Sequence, residues 1–123
     1  MLLRKILVVD DEEAIRDLVE KTLRRSDRII LKAGTAEQAI EVATAEIPDL
    51  IMMDIMMPGK MDGLDAARII KNNELTRGCT ILILTAKGRA ADREEGLRAG
   101  ADGYFAKPFS PLELMRKVDE IFD

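Results

Sequence analysis

The sequence predicts a doubly wound α/β fold in which five helices cover a five-stranded parallel sheet. Short apolar segments alternate with segments of helical periodicity five times along the 123 residues. The connections are too short for anything but right-handed crossovers onto a parallel sheet. Because 47% of the residues are hydrophobic, a chain of this length can bury one ordinary core. We therefore expect residues 1–123 to form a single domain.

Five short apolar segments that end in polar or turn residues predict the strands. They are residues 5–9, 28–33, 50–53, 80–84 and 104–106. The first, third and fourth are apolar throughout, which is typical of parallel strands covered by helices on both faces. We expect these three at the centre of the sheet, with Met52 and Met53 as flexible core fillers.

The first two helices are predicted from periodicity and capping. Apolar side chains recur at helical spacing between residues 12 and 25. The segment from Thr35 to Gln38 matches a capping box, in which each of the two side chains accepts a backbone N–H of the other residue. It predicts a second helix that continues to about residue 45.

The other three helices follow the third, fourth and fifth strands. We predict them over residues 64–72, over residues 91–99 and from residue 111 to the end of the chain. The middle one is weakly patterned, and Gly100 is expected as its C-terminal cap. Ser110 is expected as the N-cap of the last helix, with Pro111 at its first position.

Composition argues against several classes of function. The 23 acidic and 19 basic residues give a net charge of −4, so no basic surface for direct nucleic-acid binding is visible. Histidine is absent, and the single cysteine, Cys79, is expected to be a small packing residue. The apolar segment near the N-terminus is too short for a signal peptide or a membrane span. We therefore expect a cytoplasmic protein.

Polar side chains follow the predicted strands at the edge where parallel α/β sheets bind ligands. Asp10 and Asp11 follow the first strand, Asp54 the third, Thr85 the fourth and Lys107 the fifth. Each one has an ordinary explanation when read alone, such as a helix N-terminus, a turn, a cap or a solvated lysine. Their joint placement on successive strand ends favours a functional site.

Three carboxylates at one edge require a cation. Two charges about 5 Å apart at an effective dielectric constant near 20 repel by roughly 3 kcal/mol. Lys107 supplies one positive charge, and Mg²⁺ is the divalent ion that suits oxygen ligands and phosphate chemistry. With that charge offset, Asp54 is a plausible nucleophile toward phosphorus, and the product is an acyl phosphate.

The motifs resemble the receiver domain of two-component response regulators over essentially the whole chain. They are residues 8–12 (VVDDE), 54–58 (DIMMP), 62–63 (DG), 85–86 (TA) and 100–109 (GADGYFAKPF). The resemblance implies a CheY-like, flavodoxin-like fold with strand order 2-1-3-4-5. It also implies a signalling phosphoacceptor rather than an enzyme, although such domains assist their own phosphorylation and dephosphorylation.

The resemblance further implies roles for single residues. Asp54 would take the phosphoryl group from a cognate histidine kinase, a phosphotransfer protein or a small donor. Asp11, Asp54 and the Met56 backbone carbonyl would bind Mg²⁺, and Asp10 would help to bind it directly or through water. Lys107 would hold a phosphoryl oxygen, with a cis peptide bond before Pro108. Met56 and Lys87 would influence the dephosphorylation rate.

The resemblance also implies a switch and an output surface. Thr85 would hydrogen-bond the phosphoryl group, and the Tyr104 rotamer would follow it. The surface formed by the fourth helix, fifth strand and fifth helix would contact a second copy, an output domain or a separate target. Gly103 and Lys117 differ from the Asp and Arg usual in DNA-binding relatives, and the loop from Pro58 to Asp62 holds one residue more than usual.

Two other functions fit the sequence less well. A phosphohydrolase of the haloacid dehalogenase type needs a second acid two residues after its nucleophile, and Met56 occupies that position. A degenerate receiver that acts only as an interaction module would lack some of the five chemical positions, and all five are filled. The sequence leaves open whether the domain stands alone or belongs to a longer regulator.

Overall fold

The computed structural model describes residues 3–86 and 89–122, and in them five parallel strands form one sheet in the order β2-β1-β3-β4-β5. Along the chain the elements are β1 (Arg4–Val9), α1 (Glu13–Leu23), β2 (Arg28–Ala33), α2 (Ala36–Glu46), β3 (Leu50–Asp54), α3 (Gly63–Asn72), β4 (Thr80–Ala86), α4 (Ala90–Arg98), β5 (Gly103–Lys107) and α5 (Pro111–Phe122). The predicted fold class and strand order are therefore confirmed. No helix in the described ranges has the length and hydrophobicity needed to cross a membrane.

Two apolar layers lie on opposite faces of the sheet. Side chains alternate along a strand, so Met53 packs in the layer beneath α2 and α3, while Met52 packs in the layer beneath α1 and α5. The predicted central strands β1, β3 and β4 contribute to both layers, which explains why they are apolar throughout. Cys79 is buried in the first layer, as expected for a packing residue.

The predicted helix caps are present, one of them in modified form. The Thr35 hydroxyl accepts the Gln38 N–H at 3.1 Å, but the Gln38 side chain accepts the N–H of Gly34 at 2.8 Å rather than that of Thr35. The reciprocal half of the predicted box is therefore displaced by one residue. Ser110 caps α5 by accepting the Glu113 N–H at 3.1 Å.

Helix α3 begins one residue earlier than predicted because of a capping box that sequence analysis missed. Asp62 accepts the N–H of Asp65 at 2.9 Å, and Asp65 accepts the N–H of Asp62 at 3.1 Å. An aspartate thus takes the place of the usual glutamate or glutamine. In the preceding loop, Gly59 has a φ of 113°, a conformation that favours glycine.

Helix α4 packs closely on the sheet through a glycine. A Cβ on Gly96 would lie 3.1 Å from Cγ1 of Ile83, so a larger residue would require the Ile83 side chain or the helix to shift by a few tenths of an ångström. The helix ends in a Schellman motif, in which Gly100 has a φ of 100° and the Ala101 N–H donates to the Gly96 carbonyl at 3.0 Å. Gly100 therefore terminates α4 as predicted.

Candidate functional site

The carboxyl ends of β1, β3 and β5 bring the predicted acidic residues and the lysine together. Asp54 and Lys107 are the last residues of β3 and β5, and Asp10 directly follows β1. The Lys107 Nζ lies 2.5 Å from Asp10 Oδ2 and 3.5 Å from Asp54 Oδ1. The peptide bond between Lys107 and Pro108 is cis, as the resemblance predicted. One ammonium therefore pairs with two buried carboxylates.

Backbone and side-chain contacts fix Asp10. It is fully buried, its N–H donates to the Ala33 carbonyl at 3.1 Å, and its Oδ1 accepts the Glu12 N–H at 3.0 Å. The guanidinium of Arg16 on α1 donates to the Asp10 carbonyl oxygen at 2.7 Å. Arg16 was not predicted from the sequence, because its partner is a backbone atom that no side-chain motif reveals.

A glycine allows α3 to start beside Asp54. A Cβ on Gly63 would lie 1.9 Å from the Asp54 carbonyl oxygen, so no other residue fits this backbone path. The Gly63 N–H donates to the Ile55 carbonyl at 3.0 Å. The Asp-Gly pair at positions 62 and 63 therefore holds the start of α3 against the end of β3. The Asp-Gly pair was recognised as a motif in the sequence, but the steric reason for its glycine was not predicted.

Burial and like charges raise the pKa of Asp54 to about 6 from its ordinary 3.8. Burial has the largest effect, repulsion from Asp10 and Asp11 adds to it, and the Lys107 ammonium opposes it. Burial lowers the pKa of Lys107, but its hydrogen bond to Asp10 and its attraction to both carboxylates raise that pKa above its usual value overall. At neutral pH the site therefore holds ionised Asp54 beside a charged lysine.

The donor set fits a hard divalent cation. Asp10, Asp11 and Asp54 each offer a carboxylate oxygen, and these three atoms lie within 4.8 Å of one another. Carboxylate oxygens that meet at one edge of the sheet match the ligands that Mg²⁺ prefers. Met56 lies two residues beyond Asp54 with an exposed side chain. Lys87, also expected near the site, lies outside the described residues.

The predicted switch residues face α4 rather than the carboxylates. The buried Thr85 hydroxyl donates to Asp92 Oδ2 at 3.1 Å. Tyr104 is 39% exposed, and Cζ of Arg93 lies 4.4 Å from the centre of its ring. The contacts of Asp92 and Arg93 with Thr85 and Tyr104 were not predicted from the sequence.

A comparison with protein families agrees with this fold. A profile of the response regulator receiver domain matches residues 6–119. The chain belongs to the response regulator receiver domain family. Receiver domains act in two-component signal transduction, where phosphorylation carries the signal, and they typically bind Mg²⁺ at an acidic pocket. The resemblance found in the sequence is thereby confirmed.

Individual relatives of this receiver domain agree with that assignment. It is 43% identical over 118 residues to the alkaline phosphatase synthesis transcriptional regulatory protein PhoP of Bacillus subtilis, covering 96% of this chain and 48% of the relative. It is 40% identical over 121 residues to the phosphate regulon transcriptional regulatory protein PhoB of Pseudomonas aeruginosa, covering 98% and 52%. The chain thus spans about half the length of these curated relatives.

Among solved structures, the receiver domain is similar to a putative response regulator from Chloroflexus aurantiacus. The two share 33% sequence identity with a TM-score of 0.88, and the alignment covers 97% of each chain. The likeness extends over the whole sheet and its helices.

Proposed function

We propose that this receiver domain accepts one phosphoryl group on the Asp54 carboxylate and changes its surface in response. The observation that carries the proposal is the convergence of Lys107 on Asp10 and Asp54, with Asp11 completing a three-carboxylate cluster. In this assignment Asp10, Asp11, Asp54 and the Met56 carbonyl hold Mg²⁺. The proposed domain comprises residues 1–123.

The chemistry assigned to Asp54 is nucleophilic attack on phosphorus. A bond forms between a carboxylate oxygen and phosphorus, and the bond from phosphorus to the donor's nitrogen or oxygen breaks, with its electron pair leaving on the donor. Lys107, 3.5 Å from Asp54, places its positive charge beside the phosphoryl oxygens. Bound Mg²⁺ would offset the negative charge of the carboxylates and the phosphoryl group. With a pKa of about 6, Asp54 is mainly ionised and nucleophilic at neutral pH.

The first expected result is that acetyl phosphate with Mg²⁺ adds one phosphoryl group to the wild-type protein. Intact-protein mass spectrometry at neutral pH measures the gain, and a parallel reaction with EDTA should show little labelling. The same reaction with acetate instead of acetyl phosphate is the control for adducts. An unchanged mass after prolonged incubation with the donor and Mg²⁺ would overturn the proposed function.

A second expected result concerns the cation itself. Asp11 is exposed and forms no ion pair within residues 3–86 and 89–122, so its carboxylate is free to bind a metal without displacing Lys107. Asp11→Ala should weaken Mg²⁺ binding roughly tenfold or more, and wild-type binding should weaken as the pH falls, because ligands must be ionised. Amide chemical shifts during a Mg²⁺ titration measure both effects.

Asp17→Ala is the matched control for the Mg²⁺ titration, since it removes an acidic side chain of α1 that contacts Lys32 instead. Its affinity for Mg²⁺ should equal that of the wild type. Asp11→Ala binding as tightly as Asp17→Ala would exclude Asp11 as a ligand.

A histidine kinase or phosphotransfer protein is the proposed phosphoryl donor, in keeping with the family. An open groove beside the site supports a protein donor, since it is lined by Ile15 and Leu18 of α1 and by Pro108 and Phe109 after β5. Leu18 is 36% exposed although it lies at an apolar position of its helix. The groove therefore offers an apolar contact surface next to Lys107.

The proposed output surface consists of α4, β5 and α5. Phosphorylation would draw Thr85 toward Asp54 and turn Tyr104 inward, which changes this surface for a second copy, an output domain or a separate target. Leu97, Tyr104 and Met115 are exposed on these elements. Asp102, which directly precedes β5, has its partners within the chain: its carboxylate forms an ion pair with Lys71 at 2.8 Å and accepts the Ile81 N–H at 2.8 Å.

A further inference from the structure

Asp92 and Arg93, two consecutive residues of α4, each contact one of the two proposed switch side chains. Asp92 lies in the first turn of α4, and its Oδ2 accepts the Thr85 hydroxyl at 3.1 Å. The guanidinium of Arg89 lies 3.1 Å from the same oxygen and forms an ion pair with the carboxylate. The side chain of Asp92 is 16% exposed, so this bond is partly shielded from water.

Arg93 contacts the second proposed switch residue, Tyr104. Its Cζ lies 4.4 Å from the centre of the Tyr104 ring, within the distance at which a guanidinium is attracted to an aromatic face. Tyr104 remains 39% exposed under this contact. The two side chains that change position in the proposed function are therefore both held by consecutive residues of one helix.

We infer that Asp92 and Arg93 form a latch that keeps the unphosphorylated domain in its inactive arrangement, with Asp92 as the positioning residue for Thr85. A threonine hydroxyl has a single proton to donate. While Thr85 donates that proton to Asp92, it cannot donate it to a phosphoryl oxygen on Asp54. The inference rests on the proposed function, since the phosphoryl group is the competitor for Thr85.

The latch links phosphorylation to the first turn of α4. When Thr85 turns toward the phosphoryl group, Asp92 loses its donor from β4 and keeps only Arg89. Removing the Asp92 carboxylate removes the contact with Arg89 from both arrangements, but it removes the hydrogen bond from Thr85 only from the inactive one, which should therefore become less favourable. A partly shielded hydrogen bond to a charged group then corresponds to a roughly fivefold shift of the equilibrium toward the active arrangement.

Beryllofluoride with Mg²⁺ mimics the phosphoryl group, so it tests the latch in residues 1–123 without covalent phosphorylation. Amide signals are followed as beryllofluoride is titrated into each variant. For Asp92→Ala, the concentration at half-saturation should fall roughly fivefold, because more of the protein is already competent to bind. Asp92→Asn keeps an acceptor oxygen but loses the charge, so it should lie between Asp92→Ala and the wild type. Glu94→Ala is the matched control, since this exposed acid of α4 contacts Arg98 instead.

A double-mutant cycle separates positioning of Thr85 from a general effect on α4. In a Thr85→Val background the hydroxyl is absent, so adding Asp92→Ala should leave the half-saturation point unchanged. The ring signals of Tyr104, the only tyrosine in the chain, give a second measurement. In Arg93→Ala without beryllofluoride, these signals should move toward their positions in the beryllofluoride-bound wild type.

The outcomes of the titration distinguish the two proposals. A wild-type protein that shows no response to beryllofluoride and Mg²⁺ would overturn the proposed function and the latch together. If the wild type responds but Asp92→Ala has the same half-saturation point, the latch alone is wrong. An equal effect of Asp92→Ala in the Thr85→Val background would also overturn the latch, because the carboxylate would then act without the hydroxyl.

Discussion

Asp54→Ala is expected to take up no phosphoryl group from acetyl phosphate under conditions in which the wild type takes up one. Asp10 is fully buried and hydrogen-bonded to Lys107, so its carboxylate is covered. Asp11 is exposed but forms no ion pair with Lys107 within the described residues. Of these three acids, only Asp54 both contacts Lys107 and remains partly exposed. Its exposed fraction is 7%, through which a donor can reach the carboxylate. Removal of its carboxylate should therefore abolish labelling rather than slow it.

The variants that accompany Asp54→Ala locate the acceptor. Asp54→Asn preserves the size of the side chain and should also remain unlabelled, which separates loss of the nucleophile from loss of packing. Asp17→Asn, on the surface of α1, should be labelled like the wild type. The wild-type product should lose its phosphoryl group in hydroxylamine, as an acyl phosphate does. Labelling of Asp54→Ala at the wild-type level would mean that another side chain is the acceptor.

Much of the fold and the acidic site could be predicted because both depend on strand ends. The apolar segments located all five strands, and parallel strands necessarily bring their carboxyl ends to one edge. The predicted third, fourth and fifth strands ended too early, however. Asp54, Thr85 and Lys107 lie inside β3, β4 and β5, because ladder hydrogen bonding continues through polar residues that interrupt the apolar pattern.

Features that depend on close backbone approach could not be predicted from a pattern. Helix α4 is weakly patterned because its only buried residue is Gly96, which lets the helix lie directly on Ile83. Hydrophobic periodicity cannot reveal such a contact, because it depends on glycine having no side chain. The same holds for Gly63, whose role depends on the nearby carbonyl oxygen of Asp54.

The contacts of Asp92 and Arg93 could not be predicted for a different reason. Both lie in a helix rich in charged residues, where a run of this kind usually indicates a solvated face. Their partners, Thr85 and Tyr104, lie on two different strands. The pairing depends on how α4 sits over β4 and β5, and this placement is set by tertiary packing.

Asp54→Asn is expected to stabilise the metal-free protein at pH 7 by up to about 3 kcal/mol. The pKa of Asp54 is about 6 in the folded protein against an ordinary 3.8. Between about pH 4 and pH 6 the folded state thus binds more protons at Asp54 than the unfolded state does. The free energy of unfolding therefore falls as the pH rises through this window and the cost is complete above pH 6. Each tenfold difference in proton affinity corresponds to about 1.4 kcal/mol, which gives the expected size.

Urea unfolding in EDTA at pH 4 and at pH 7 measures this effect. The variant, which cannot ionise at position 54, should exceed the wild type in stability at pH 7 and approach it at pH 4. Saturating Mg²⁺ at pH 7 should narrow the difference, because the cation binds the folded wild type more tightly than it binds the variant. Asp17→Asn, a surface acid near Lys32, should change stability by less than about 0.5 kcal/mol at both pH values. A variant less stable than the wild type at pH 7 would mean that the pairing of Asp54 with Lys107 outweighs burial and the repulsion from Asp10 and Asp11.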